Sequence, residues 1–346
     1  MKRRQDFLTN SKKNINRYDS FTKCNSIVLG CINWSLVDMI DDPVKKDYTQ
    51  TALENLDETF EHVMSICKQF NIQVDRPSTI PYDPQKKYVH PNFELSAIKN
   101  PISPSDSFLC LADTIVEVAS AQENAFFDYV QYREIWNEYF DNGSKWIAAP
   151  IPTHNPEQWD GFDYYDWAEI LFDGPCVEPV GSKAFCSKNV VLNKRAKTWL
   201  ERMFPQFEFE YVPETRGHLD SYFRILKPGL IYSGINKSHL PDCFKNWTVI
   251  QTEKTQYQPP EIVSEFLQDD DYENTVLDVN GFSIDEENFI MMKHVCEHHP
   301  EMVKQIESHG VNCIPLPFES SRFFNQGISC IMNATNRDGQ IEDYFK

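Results

Sequence analysis

His218 and Asp220 stand two residues apart in the stretch Glu214-Thr-Arg-Gly-His-Leu-Asp-Ser-Tyr-Phe223. On a strand running from Leu219 to Ile225 they point to the same face, while Leu219 turns into the packing. A proton carrier and an anion on one surface can hold a cationic substrate through the carboxylate and move its protons through the imidazole. The same pair can equally be a satisfied polar contact on a strand edge. The pair lacks a nucleophile, and the candidate lies far downstream in Gly327-Ile-Ser-Cys-Ile331, where Cys330 follows a turn-forming segment. The fold must bring the two together.

The chain around these residues has 346 residues, 41% of them hydrophobic and 13% aromatic, ample for a substantial core. A formal charge of −19 argues against nucleic acid or an anionic membrane as partner, and suits either a cationic small substrate or plain solubility. No apolar run approaches the length of a spanning helix, and no apolar stretch follows the basic start Met1-Lys-Arg-Arg4, so the expected compartment is the cytoplasm. Ten cysteines without a Cys-x-x-Cys pair read as thiols rather than a disulfide framework. His294, Cys296, His298 and His299 crowd one helix start, but with no second ligand cluster they read as an exposed polar cap, and no metal is expected.

Residues 1–22 are polar and without periodicity, which predicts a flexible or loosely docked arm before one catalytic domain over 23–346. Strand signals then alternate with helical ones. A strand begins at Ser26, and Leu53, Leu56, Phe60, Val63, Met64 and Cys67 space out one buried stripe of a helix over 49–70. Strand pairs, helices and closing strands follow through 107–149, 168–212, 218–250 and 281–316. Within the second round the first strand is expected around 168–172, and the fourth round opens with a strand over 218–225. Hairpin, helix, strand recurs roughly five times at about 55 to 65 residues, with the opening hairpin completed from the C-terminal end. The expected fold is therefore α/β, a five-module pseudo-symmetric α/β-propeller. A doubly wound sheet would alternate single strands with helices and ranks second.

Phe126-Phe-Asp-Tyr129, Tyr132-Arg-Glu-Ile135, Lys145-Trp-Ile-Ala-Ala-Pro-Ile-Pro-Thr153, Phe172-Asp-Gly174, Gly217-His-Leu-Asp-Ser-Tyr-Phe223, Pro228-Gly-Leu-Ile231 and Gly327-Ile-Ser-Cys-Ile331 occur in that order. In these marks and their spacing, from about Ser26 to Phe345, the chain resembles the amidinotransferases that include glycine amidinotransferase and the inosamine-phosphate enzymes. The resemblance implies a cysteine enzyme without a cofactor that carries an amidino group from arginine or another guanidine to an amine. It implies Cys330 as nucleophile, His218 as general acid and base, Asp173 as the carboxylate behind the histidine, and Asp106 and Asp220 as the grip on the guanidinium. Small-molecule substrates would be its partners, with a homodimer as one assembly open to it. Guanidine hydrolases share these residue types, and a homologue without turnover is a third reading.

The physical chemistry agrees with these roles. A planar cation is fixed in position and plane by paired carboxylate hydrogen bonds, and a thiolate beside it can attack its central carbon. Departures from the family bear on substrate. Asn325-Gln326 stand where a run of glycines is common, predicting a stiffer or differently shaped loop. Lys237 replaces the arginine that holds a carboxylate in the glycine enzyme, and Glu273 and Asn274 fall where that enzyme has serines. Thr215 and Gly217 occupy the acceptor-facing positions before the histidine. A glycine there leaves room for an acceptor larger than glycine.

Overall fold

The computed structural model describes residues 13–153, 169–188, 192–213, 215, 217–252 and 277–346. Asn274 and Glu273 lie outside them. Five three-stranded sheets carry the architecture, each an antiparallel hairpin whose second strand takes a parallel third strand on its other side. The first sheet sets β1 (Cys24–Leu29) between β2 (Gln73–Asp75) and the last strand of the chain, β17 (Met332–Arg337). The expected closure of the opening hairpin from the C-terminal end is thus observed. A small hairpin, β3 (Tyr88–Val89) with β4 (Glu94–Leu95), precedes the second sheet.

The second sheet is β5 (Phe108–Leu111), β6 (Thr114–Glu117) and β7 (Lys145–Ala148), and the third β8 (Val177–Val180), β9 (Lys183–Ser187) and β10 (Glu208–Val212). The fourth is β11 (Phe223–Lys227), β12 (Leu230–Ser233) and β13 (Thr248–Gln251), and the fifth β14 (Phe282–Asp285), β15 (Asn288–Met292) and β16 (Asn312–Leu316). Parallel pairing needs a crossover between the second and third strands, and helices supply it in four modules. The first, Pro43–Gln69, starts where Asp42 accepts hydrogen bonds from the Val44 and Lys45 amides, and buries Leu53, Leu56, Phe60, Val63 and Cys67 on one stripe. Each such side chain removed from water contributes about 1.5–3 kcal/mol. The fourth module crosses over with only short 3-10 turns, Lys237–His239 and Asp242–Phe244.

Three sequence-based expectations are corrected. Residues 168–172 give no strand among the described residues; Phe172 makes isolated bridges to Ala119 and Leu192, and the hairpin opens with β8 instead. Pro179 inside β8 disguises it, and β8 is accordingly an edge strand. The stretch at 218–222 is not strand: Leu219–Ser221 form a 3-10 turn before β11 begins. Residues 13–22 are no loose arm. Arg17 exchanges backbone hydrogen bonds with Ala112, Asn16 pairs with Thr335 and Arg337, and Ile15 and Phe21 are buried. Two apolar anchors suffice to dock a segment whose composition is otherwise polar.

All ten cysteines are free. Among the described residues no helix is long and apolar enough to cross a membrane, and no group of three or more His, Cys, Asp or Glu is arranged to hold a metal ion.

Candidate active site

Cys330 sits in a one-turn helix, Ile328–Ile331, between Gly327 and β17. The chain arrives there from the turn Ser321–Phe324, which ends on Asn325 in the left-handed conformation at φ +49°. Asparagine tolerates that conformation better than other side chains, so Asn325 performs the turn a glycine would otherwise make. Gly327 itself is required by a close approach: a Cβ there would fall 2.1 Å from Asn280 Cγ. Asn280 Oδ1 accepts from the Ser329 amide at 2.8 Å, and its Nδ2 donates to Cys330 Sγ at 3.5 Å. This asparagine, at the head of β14, was not singled out in the sequence; the Asn280-Gly281 pair before a strand is the only local signal.

Asp220 comes from the 3-10 turn that displaced the expected strand. Its Oδ2 accepts a short hydrogen bond from Ser329 Oγ and lies 3.9 Å from Cys330 Sγ. His218 precedes the same turn, so the pair still shares one surface, by turn geometry rather than strand alternation. His218 Nε2 is 3.3 Å from Asp173 Oδ2, and Nδ1 is 3.7 Å from Asp106 Oδ1. Asp173 leads the turn Gly174–Cys176, and Asp106 lies in the turn Pro104–Ser107. The two turns touch because Gly174 has no side chain: a Cβ there would be 2.1 Å from the Ser105 carbonyl oxygen. Ser105 Oγ in turn donates to the Cys330 carbonyl at 2.9 Å, tying the Asp106 turn to the Cys330 turn.

Five side chains named from sequence, Cys330, His218, Asp173, Asp106 and Asp220, therefore converge from four separate turns. Asp106 Oδ1, Asp173 Oδ1 and Asp220 Oδ1 are buried and accept no hydrogen bond from the described residues. Buried acceptors of that kind are suited to the N–H groups of a bound cation. Lys237 is not part of the cluster; it is exposed, and its Nζ donates to the Trp247 carbonyl at 2.7 Å. Thr215 is buried beneath the segment leading to His218, donating to the Val212 carbonyl at 3.1 Å and accepting from the Lys188 amide at 3.0 Å. Gly217 borders open space among the described residues, for a Cβ there would meet none of them within 4 Å.

Electrostatics follow from this crowding. Burial pulls the His218 imidazole toward neutrality, but the hydrogen bond to Asp173 and the charges of Asp106, Asp173 and Asp220 outweigh it and raise its pKa to about 9. His218 is an imidazolium at neutral pH. Burial, then Asp220 and Asp106, push the Cys330 thiol well above its ordinary value, against smaller opposing hydrogen bonds from Gly327 and Asn280. Without a cation on the carboxylates, Cys330 is a thiol. Two further groups had no role in the sequence reading. Half-buried Lys99 feels Asp128, Asp106 and Asp173, whose charges raise its pKa despite burial. Asp128 is pushed up to about 7 by burial, with Lys99 opposing and Asp106 and Asp173 adding to the rise.

Known proteins resemble this chain in sequence and in fold. Mitochondrial glycine amidinotransferase of Gallus gallus is 26% identical over 329 residues, covering 87% of this chain and 72% of that protein. Inosamine-phosphate amidinotransferase 1 of Streptomyces glaucescens is 25% identical over 255 residues, covering 70% of this chain and 69% of that protein. Over most of its length the chain is thus similar to amidinotransferases. The solved structure of SxtG, an amidinotransferase from Microseira wollei in the saxitoxin biosynthetic pathway, superimposes on this chain with a TM-score of 0.77 at 21% identity, covering 95% of this chain and 99% of that one. The five small sheets are those of the amidinotransferase propeller. No protein-family model matches the chain.

Proposed function

We propose that this amidinotransferase homologue transfers an amidino group from arginine, or a related guanidine, to an amine through a covalent amidino-cysteine at Cys330. The observation that carries the reading is the convergence of Cys330 with Asp220 on one side and His218, Asp173 and Asp106 on the other. Asp106 and Asp220 would take the guanidinium N–H groups on their unpartnered oxygens. The arriving cation offsets the carboxylates that hold Cys330 protonated, so substrate binding itself favours the thiolate, with the released proton passing to solvent. The thiolate attacks the guanidinium carbon, giving a neutral tetrahedral adduct. His218, already charged, protonates the departing nitrogen, and the carbon–nitrogen bond breaks to leave ornithine and a cationic amidino group on sulfur. Neutral His218 then takes a proton from the incoming amine as its nitrogen displaces sulfur. Asp173 holds the ring and stabilises its charged form throughout.

The acceptor enters beside Gly217, where open space suits an amine bulkier than glycine. Lys237, engaged with Trp247, has no part in this reading. The test is turnover of labelled arginine with and without a panel of primary amines. Beyond the single equivalent released as Cys330 is amidinated, ornithine should form only with an acceptor, and Cys330→Ala should abolish both. Citrulline appearing without acceptor at the rate of arginine loss would make the protein a hydrolase.

A further inference from the structure

The Cys330 sulfur is set among anions. Asp220 Oδ2 lies 3.9 Å from it, and the charge of Asp106 also reaches it. A nucleophile that must become negative in such surroundings needs hydrogen-bond donors aimed at it. His218 is directed to Asp173 and Asp106, and Ser329 Oγ to Asp220 and Asn280. Among the described residues, the side-chain N–H group that meets the sulfur belongs to Asn280, whose Nδ2 stands 3.5 Å from Sγ. The Gly327 amide adds a backbone donor.

The orientation of this amide is set by its neighbours. Oδ1 accepts from the Ser329 N–H at 2.8 Å. Turning the amide over would place its NH2 against that buried N–H, donor against donor, and leave a backbone group unpaired. Nδ2 therefore faces the sulfur. The backbone that carries Asn280 is held as firmly. The residue is 1% exposed and joins the 3-10 turn Leu277–Val279 to β14. Tyr232 Oη donates to the Asp278 carbonyl at 2.9 Å, and the Asp278 carboxylate accepts from Arg322 Nη2 at 3.2 Å, tying this segment to the turn ahead of Cys330. On its other side Gly281 packs so closely that a Cβ there would fall 2.3 Å from Phe289 Cζ. A donor held in place beforehand needs no rearrangement when the sulfur ionises.

We propose that Asn280 is a catalytic residue whose side-chain N–H holds the Cys330 sulfur as a thiolate, before attack on the guanidinium carbon and again when the acceptor nitrogen displaces it. In the attack a sulfur lone pair becomes the carbon–sulfur bond, and the N–H loses its charged acceptor. In the displacement that bonding pair returns to sulfur, and the N–H receives it. The Oδ1 side of the amide thus places the nucleophile, while the Nδ2 side favours its charged form. The displacement step rests on the transfer reading above; the hydrogen bond to the thiolate does not.

The test is alkylation of Cys330 in the full chain by iodoacetamide at mildly alkaline pH, followed on the Cys330 peptide by mass spectrometry. The reagent is uncharged, the thiolate attacks its methylene carbon with loss of iodide, and no amidino transfer is involved. Losing a hydrogen bond to a charged group makes the thiolate about 10- to 100-fold scarcer, and the stronger nucleophilicity of a more basic thiolate restores about half of that on a logarithmic scale. Asn280→Ala should therefore label about 3- to 10-fold more slowly than the wild-type chain, with Sγ unmoved in the crystal structure of the variant. Labelling at the wild-type rate overturns the proposal; so does slower labelling with Sγ displaced, meaning that Asn280 only holds the turn. If Asn280→Ala does not fold, Asn280→Asp decides, because it keeps an oxygen toward the Ser329 amide and turns a second oxygen toward sulfur. It should label at least as slowly, and a wild-type rate overturns the proposal. A chain that labels as expected yet releases no ornithine from arginine would sink the transfer reading and leave the role of Asn280 standing.

Discussion

Replacing Asp173 by asparagine should disarm His218 without moving it far, because the amide keeps the shape and a hydrogen-bonding oxygen while losing the charge. In the native site His218 Nε2 lies 3.3 Å from Asp173 Oδ2 and its pKa rises from 6.5 to about 9. That rise corresponds to about 3 kcal/mol of preference for the imidazolium. Asp173 supplies both the hydrogen bond, the largest raising contribution, and part of the charge, while burial continues to press the other way. With Asp106 and Asp220 left in place, the pKa in Asp173→Asn should fall to about 7–8, a 10- to 100-fold loss of affinity for the proton. The imidazole Cε1 proton, assigned by its disappearance in His218→Gln, reports this directly in an NMR titration. An Asp173→Asn protein whose His218 still titrates near 9 would refute the reasoning, since Asp106 and Asp220 alone would then be holding the charge.

The same shift makes stability depend on pH: a raised pKa means the imidazolium stabilises the fold fully below about 6.5, and this contribution is lost as pH rises through about 9. Thermal unfolding should therefore fall across that window, and fall less in His218→Gln; equal slopes would contradict the prediction. Gly327→Ala places a methyl where Asn280 stands, so thiol labelling of Cys330 by an amidine reagent should slow by about 10-fold or more. In an Asn280→Gly background the same change should cost little further, because the obstructing side chain is gone, Cβ included. Gly217→Met should penalise large acceptor amines more than small ones; an unchanged ranking would sink the account of the acceptor's approach.

What the sequence made legible follows from which signals are local. Strand and helix periodicity announced five modules, including the hairpin closed by β17, since alternation and helical stripes are written in the residues that pack. Cys330, His218, Asp173, Asp106 and Asp220 were legible through motifs shared with a family, because each sits in a short turn of fixed composition. Asn280 and Lys99 were not, and Asp128 stood only within the Phe126-Phe-Asp-Tyr129 mark, with no role. Asn280 acts across the fold on the Cys330 turn, and no spacing in the chain records that contact. Asp220 was named for the right surface by the wrong geometry, since a His-Leu-Asp alternation fits a strand as well as the 3-10 turn that tertiary contacts with Ser329 select. Polar composition likewise concealed the docking of residues 13–22, where the buried apolar Ile15 and Phe21 outweigh their polar neighbours.

The central claim is a covalent amidino group on Cys330. Arginine mixed with the protein and quenched in acid within the first turnover, without an acceptor amine, should yield a Cys330 peptide heavier by one amidino group. Addition of an acceptor before the quench should discharge it. No adduct in wild-type protein that nevertheless releases ornithine in the presence of an acceptor, or ornithine release surviving in Cys330→Ala, would contradict the account.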